Sequence, residues 1–205
     1  MNQYIEDTAI AVRGLLSLIG DDESIFRAKQ IELESTLERK RRAKAILYYG
    51  VPMTGSGEDA TPYYEKKVRD ARRVIIELKD SIESLEAVIL AKEISVQALA
   101  GAILQIAKQG ISIVGGNPAN CPAGRSIGRE NLKNVIWQAR NQSMHWEVNS
   151  FYSPVQTCFE NLYLDFGADY QLHSSSPKSL AKQILHLLKW TSYESYESDM
   201  LSLLG

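Results

Sequence analysis

Chemistry in this chain concentrates in six consecutive residues, Arg140-Asn141-Gln142-Ser143-Met144-His145. Histidine is the side chain type that exchanges its proton near neutral pH, which makes His145 a candidate general acid or base. Arginine offers a planar fork of donors that fits a phosphate or a carboxylate. On an undistorted helix Asn141 and His145 are four apart and share a face. Arg140 and His145 are five apart and point about 140° from one another, at about 100° per residue. They converge on one phosphate only if the helix ends or widens between them. The other solution is two protomers about a two-fold axis, pooling two Arg and two His in one groove.

The elements that must position these residues are helical almost throughout. Ile5, Ala9, Val12, Leu16 and Ile19 step by four and three along a first helix expected to end at Gly20. Asp21-Asp22 then cap a second helix carrying Ile25, Ala28, Leu33, Leu37 and Ile46, closed near Gly50 by a flexible loop from Val51 to Gly57. Thr61-Pro62 restarts the chain. From Tyr64 to Ile106 an apolar four-three alternation (Val68, Ala71, Ile75, Leu78 and onward) is interrupted only by Lys92. That pattern predicts bundle or coiled-coil packing, over 62–109, of either one long helix or two with a break near Lys92-Glu93. The expected fold is an all-α helical bundle forming a single domain over 1–205. Within it, 21–91 would be a helical hairpin extension. After a connection from Gly110 to Ala123, helices are expected from Ser126 or Gly128, from Ser153-Pro154 to Gly167, and from Ser176-Pro177. The repeated Ser-Tyr-Glu at 192–194 and 195–197 reads as part of an exposed, mobile tail over 191–205, with Met200 to Leu204 free to dock.

Arg-Asn-x-x-x-His on a late helix of an all-helical chain resembles the signature of the HEPN superfamily. Its hallmark is Arg, four to six residues, then His, with Asn, Asp or His following the Arg; here that position is Asn141. The motif covers six residues, and the helical setting extends the likeness over about the last hundred. The resemblance implies a metal-independent endoribonuclease without cofactor, working as a homodimer and serving as a toxin or antiviral effector. It also implies transesterification, in which a ribose 2′-hydroxyl attacks the adjacent phosphate, so RNA is the substrate and DNA is not cleaved. His145 would then be the acid or base, Arg140 the phosphate grip, and Asn141 the group that orients His145 or binds ribose. An antitoxin or sensor protein is an expected partner. Some family toxins carry a Tyr two residues after the His, where a nucleotidyltransferase antitoxin modifies it. This chain has Glu147 there, following Trp146. Trp146 either stacks on a base or packs in the core or a dimer interface.

Composition narrows the remaining options. A net charge of −2, from 23 Lys and Arg against 25 Asp and Glu, gives no global attraction to nucleic acid, so RNA contact requires a local patch. Arg39, Lys40, Arg41, Arg42 and Lys44 form one basic run, and Lys66, Lys67, Arg69, Arg72 and Arg73 another. On antiparallel helices the two make one positive stripe; taken singly, each is a solvated face. Cys121 and Cys158 form no CxxC pair and have no His at ligand spacing, which predicts free thiols and no structural zinc. Gly115-Gly116 lacks the Gly-Lys-Ser/Thr ending of a phosphate-binding loop. His173 and His186 carry no partner pattern. No basic leader precedes the first helix, and uninterrupted apolar runs such as Ala87-Val88-Ile89-Leu90-Ala91 are short for a bilayer, so the cytoplasm is the expected location. The rival reading is a non-catalytic helical scaffold or regulatory protein acting through the seam at 64–106. If the basic runs dock RNA, replacing Arg39, Arg41, Arg69 and Arg73 by Gln weakens RNA binding and flattens its salt dependence, measured by filter binding at several salt concentrations.

Overall fold

Helix α2 dictates the architecture around it, because its second half is apolar on nearly every side. The computed structural model describes residues 2–50, 60–116, 118–147, 150–173 and 177–205. Among them the order is α1 (Gln3–Tyr49), α2 (Ala60–Gly115), a short hairpin of β1 (Ser126–Ile127) and β2 (Glu130–Asn131), α3 (Leu132–Met144), α4 (Ser153–Phe166), α5 (Ala181–Leu188) and α6 (Tyr193–Leu204). The fold is all-α with one long helix, as the periodicity predicts; α2 runs through Lys92-Glu93 without a break.

The chain divides into two compact units, Met1–Asp22 with Ile94–Gly205, and Glu23–Glu93. The second unit covers almost the stretch expected as a hairpin, and it buries its own seam: Thr36 and Ala43 from α1, with Ala71, Leu78, Ile82 and Leu85 from α2. The first unit is built on Val96, Ala100, Ile103, Leu104, Ala107 and Ile111 of α2, none more than 2% exposed. The start of α1 meets this helix where Tyr4 Oη donates to Ile106 O at 2.7 Å. α3 meets it at Gln105, and Gln97 donates to Gln183 of α5 at 3.2 Å. α6 reaches it at Gly110.

Glycine explains two departures from the sequence reading. Gly20 does not end a helix; α1 continues through it and through Asp21-Asp22, and its φ is not positive. A helical Gly costs only about 1 kcal/mol relative to Ala, which the buried stripe of Ile5, Val12 and Ile19 outweighs. Gly110 likewise lies inside α2 rather than opening a connection. A Cβ there would stand 2.7 Å from the Tyr4 ring and 3.0 Å from Leu204, so the position needs Gly for close packing.

The segment after α2 also differs from expectation. Ser126 to Asn131 forms the β-hairpin, not the start of a helix, with Ser126 paired to Asn131 and Ile127 to Glu130. α3 begins at Leu132, where the Asn131 side chain caps it by accepting from Asn134 N at 3.0 Å. α4 stops at Gly167 (φ 95) as predicted. The loop expected at 51–57 lies outside the described residues, as does Ser176, and α5 begins only at Ala181.

The end of the chain is packed rather than exposed. Over 191–205 the chain folds as α6, burying Tyr193, Tyr196, Met200, Leu203 and Leu204 in the core. The repeat that reads as exposed in fact places its tyrosines three apart on one buried face. Asp199, 9% exposed, accepts from Arg125 Nε at 2.8 Å, Arg125 Nη2 at 2.9 Å and Trp190 Nε1 at 2.8 Å. Arg125 Nη2 also donates to Leu188 O at 2.9 Å, tying the ends of α5 and α6 to the hairpin. The Asp199 carboxylate raises the Arg125 pKa.

One window of α2 reaches a mean hydropathy of 1.7, apolar enough by length and composition to cross a membrane, with 28% of it buried. The short uninterrupted runs concealed this, because a helix accumulates apolar residues across interruptions. Asp199→Asn should cost about 2 kcal/mol of stability, since it leaves Arg125 without its charged acceptor. Urea unfolding followed by tryptophan fluorescence measures this.

Candidate functional site

The Arg140 segment is held by the inner face of its own helix. Leu132, Val135, Ile136 and Ala139 are buried, which fixes the rotation of α3 against the core. α3 then runs antiparallel to α2, as three cross-helix neighbours show. A Cβ placed on Gly101 would stand 3.6 Å from Ser143 Oγ, Arg140 Nε donates to Gln105 Oε1, and the Lys108 ammonium sits 4.3 Å from the centre of the Trp137 ring.

Each residue predicted for the site can be placed. Arg140 is half-buried, with Nη1 donating to Asn141 Oδ1 at 3.4 Å. Asn141 Nδ2 reaches Gln138 Oε1 at 3.5 Å. The structure therefore joins Arg140 and Asn141 in one short polar chain. His145 stands apart from it. α3 ends at Met144, and His145 is its C-cap with φ −134 and ψ 29, its N–H donating to Gln142 O at 3.3 Å. Its side chain is exposed and makes no hydrogen bond among the described residues. The helix thus ends between Arg140 and His145, so the 140° separation of an unbroken helix does not apply. By the same token, Asn141 and His145 do not share a helical face. Trp146 is 40% exposed and borders a small crevice with Gln142, His173 and Lys178.

Gln142 has a role the sequence did not reveal. At 1% exposed, it donates from Nε2 to Lys178 O at 2.7 Å and accepts at Oε1 from Leu180 N at 2.9 Å. Both bonds fasten the segment entering α5 to the end of α3, beneath the His145 turn. Gln105, Lys108 and Trp137 were also missed, because only the pairing of the two helices brings them beside Arg140.

Beside the crevice lies a groove of about 450 Å³ lined by Phe151, Phe159, Glu160, Tyr163, Gln171 and His173, among others. His173, which had no partner pattern, borders both the crevice and the groove. Cys158 lies buried on α4, and burial together with Glu130 pushes its thiol up to about 12, which removes it as a nucleophile. Among the described residues, no three His, Cys, Asp or Glu side chains cluster as a metal site.

The basic runs sit on the helical arms of the second unit. Arg41 and Arg42 both pair with Glu38, at 3.5 and 3.1 Å, and Arg73 pairs with Glu77 and Asp70 at 3.5 and 3.9 Å. Arg39 and Arg69 are exposed. Exposed pairs of this kind are worth about 0.3–0.5 kcal/mol each, and they offset the positive charge locally, which favours a solvated face.

The chain matches no known family model, no curated protein and no solved structure. Gln142→Leu should destabilise the first unit by about 2 kcal/mol, because the buried Leu180 N and the part-buried Lys178 O each lose a side-chain hydrogen bond. Thermal unfolding measures the loss.

Proposed function

We propose that this chain is a metal-independent endoribonuclease of HEPN type that acts as a homodimer in the cytoplasm, as a toxin or antiviral effector. The observation that carries this reading is the presence, on one short segment, of a half-buried Arg140 held by Gln105 and Asn141 and an exposed His145 where α3 stops. A held guanidinium suits a phosphate, and an exposed imidazole suits proton exchange with substrate.

In the proposed reaction the 2′-oxygen of one ribose attacks the neighbouring phosphorus while the bond from phosphorus to the 5′-oxygen breaks. One His145 takes the proton from the 2′-hydroxyl. The His145 of the partner subunit supplies a proton to the leaving 5′-oxygen. The products are a 2′,3′-cyclic phosphate and a free 5′-hydroxyl. Arg140 stabilises the charge that grows on the phosphoryl oxygens, and Asn141 keeps the guanidinium oriented. Two acid-base groups are needed and one chain supplies one in this segment, which is the reason for a dimer. An antitoxin or sensor protein would keep such an activity in check.

A helical scaffold is the second reading, and one observation favours it: α1 exposes Ile10 and Ile31, and α2 exposes Ile76, Leu90 and Ile94, each at 57% or more. The two readings separate on one assay. Purified protein should cleave single-stranded RNA in EDTA to 2′,3′-cyclic phosphate ends, with a light-scattering mass about twice 23.0 kDa. His145→Ala and Arg140→Ala should each lower kcat by about 100-fold or more. RNA left intact by the wild type, or cut equally well by both variants, refutes the nuclease reading.

A further inference from the structure

The surface on which Arg140 lies has an unusual charge composition. Between Ile94 and Gly115 on α2, and between Leu132 and Met144 on α3, there is no Asp or Glu, in a chain that holds 25 of them. The cations on these two stretches are Lys108, Lys133 and Arg140. Lys133 donates to Cys121 O at 2.6 Å. Lys108 and Arg140 have no carboxylate partner among the described residues, unlike Arg41, Arg42, Arg73, Arg125 and Arg129, which all pair with Asp or Glu.

Geometry sets these two cations side by side. Gln105 meets Arg140 and Lys108 meets Trp137. Gln105 to Lys108 and Trp137 to Arg140 are each three residues, so the two contacts lie one helical turn apart along the antiparallel pair, about 5 Å. That is on the scale of the step between successive phosphates of a nucleic acid strand. Both side chains are half-buried, Arg140 held by the side-chain amides of Gln105 and Asn141 and Lys108 by the face of an indole. The ring fixes the ammonium in place, yet uses none of its three N–H donors in a conventional hydrogen bond. A cation held in place without an anion, next to a second in the same condition, is arranged for a ligand with two anionic groups.

We propose that Lys108 and Arg140 form a two-cation track along the α2–α3 seam that holds two successive RNA phosphates, with Arg140 at the scissile one and Lys108 one nucleotide along. The inference deepens the nuclease reading and rests on it for the role of Arg140. Lys108 is a binding residue of this track, and Trp137 positions it.

The test uses the full-length chain and 2′-O-methyl oligonucleotides, which bind but lack the attacking hydroxyl. Affinity is followed by fluorescence anisotropy across a salt series for a dinucleotide and a hexanucleotide. Lys108→Gln should weaken the hexanucleotide about tenfold, weaken the dinucleotide less, and reduce the slope of log affinity against log salt by about 0.7, as expected for one lost phosphate contact on a single strand. Lys108→Arg, which keeps both the charge and the ring contact, should restore affinity and slope. Lys79→Gln, on the exposed face of the other unit, serves as the control. Unchanged hexanucleotide affinity and slope in Lys108→Gln overturns the track, even if the wild type cleaves RNA. Equal loss on both oligonucleotides, with no rescue by Lys108→Arg, also overturns it, since that pattern means a purely structural contact with Trp137. A wild type that binds the hexanucleotide with a Lys108-dependent slope but cuts no unmodified RNA removes the nuclease reading and leaves the track standing. A wild type that binds no RNA removes both.

Discussion

Burial of the second half of α2 is the constraint from which the first unit follows. Val96, Ala100, Ile103, Leu104, Ala107 and Ile111 form one buried stripe about 100° wide at about 100° per residue, and Ile106, Gln105 and Gln97 on its flanks meet α1, α3 and α5. The start of α1, together with α3, α5 and α6, supplies the cover, and each approach is fixed by a local device. Tyr4 is admitted by the missing side chain of Gly110 and bonded to Ile106 O; α3 is set by the Asn131 cap and its own apolar face; α6 is drawn in by Asp199. A large side chain fully buried in such a core contributes about 1.5–3 kcal/mol, so the helix at the centre accounts for much of what holds the unit together.

The candidate site inherits its geometry from that packing. Arg140 faces Gln105 because Leu132, Val135, Ile136 and Ala139 commit the adjacent side of α3 to the core and leave Arg140 at its edge. His145 leaves the helix because α3 ends at Met144, where Gln142 is already bonded to the segment entering α5. A buried glutamine satisfied by two main-chain groups is a rigid support, and its neighbours Asn141 and Ser143 remain on the outer, partly accessible side. The polar residues of this segment thus divide into Gln142, which anchors, and Asn141 and Ser143, which stay partly accessible.

Charge is distributed unevenly between the two units. The arms of the second unit carry most of the Arg and Lys, and neighbouring Glu and Asp one turn away pair with Arg41, Arg42 and Arg73. The seam between α2 and α3 carries few cations and no acid, so its few charges remain uncompensated.

The sequence alone determined the all-α class, the long helix from the apolar repeat between Tyr64 and Ile106, the stop at Gly167, and the segment in which Arg140, Asn141 and His145 lie. Periodicity carries these features because they depend on residues close together in the chain. Tertiary structure decided the rest. Gly20 and Gly110 read as helix ends, yet packing holds both inside helices. The tail reads as exposed, yet it is buried where Asp199 meets Arg125 and Trp190, partners 74 and 9 residues away. Gln105 and Lys108 join the site only because α2 and α3 pair antiparallel, and Gln142 anchors rather than reacts because its amide meets Lys178 and Leu180. Contacts between residues distant in sequence leave no local period or spacing behind them, so they become legible only once the helices are packed.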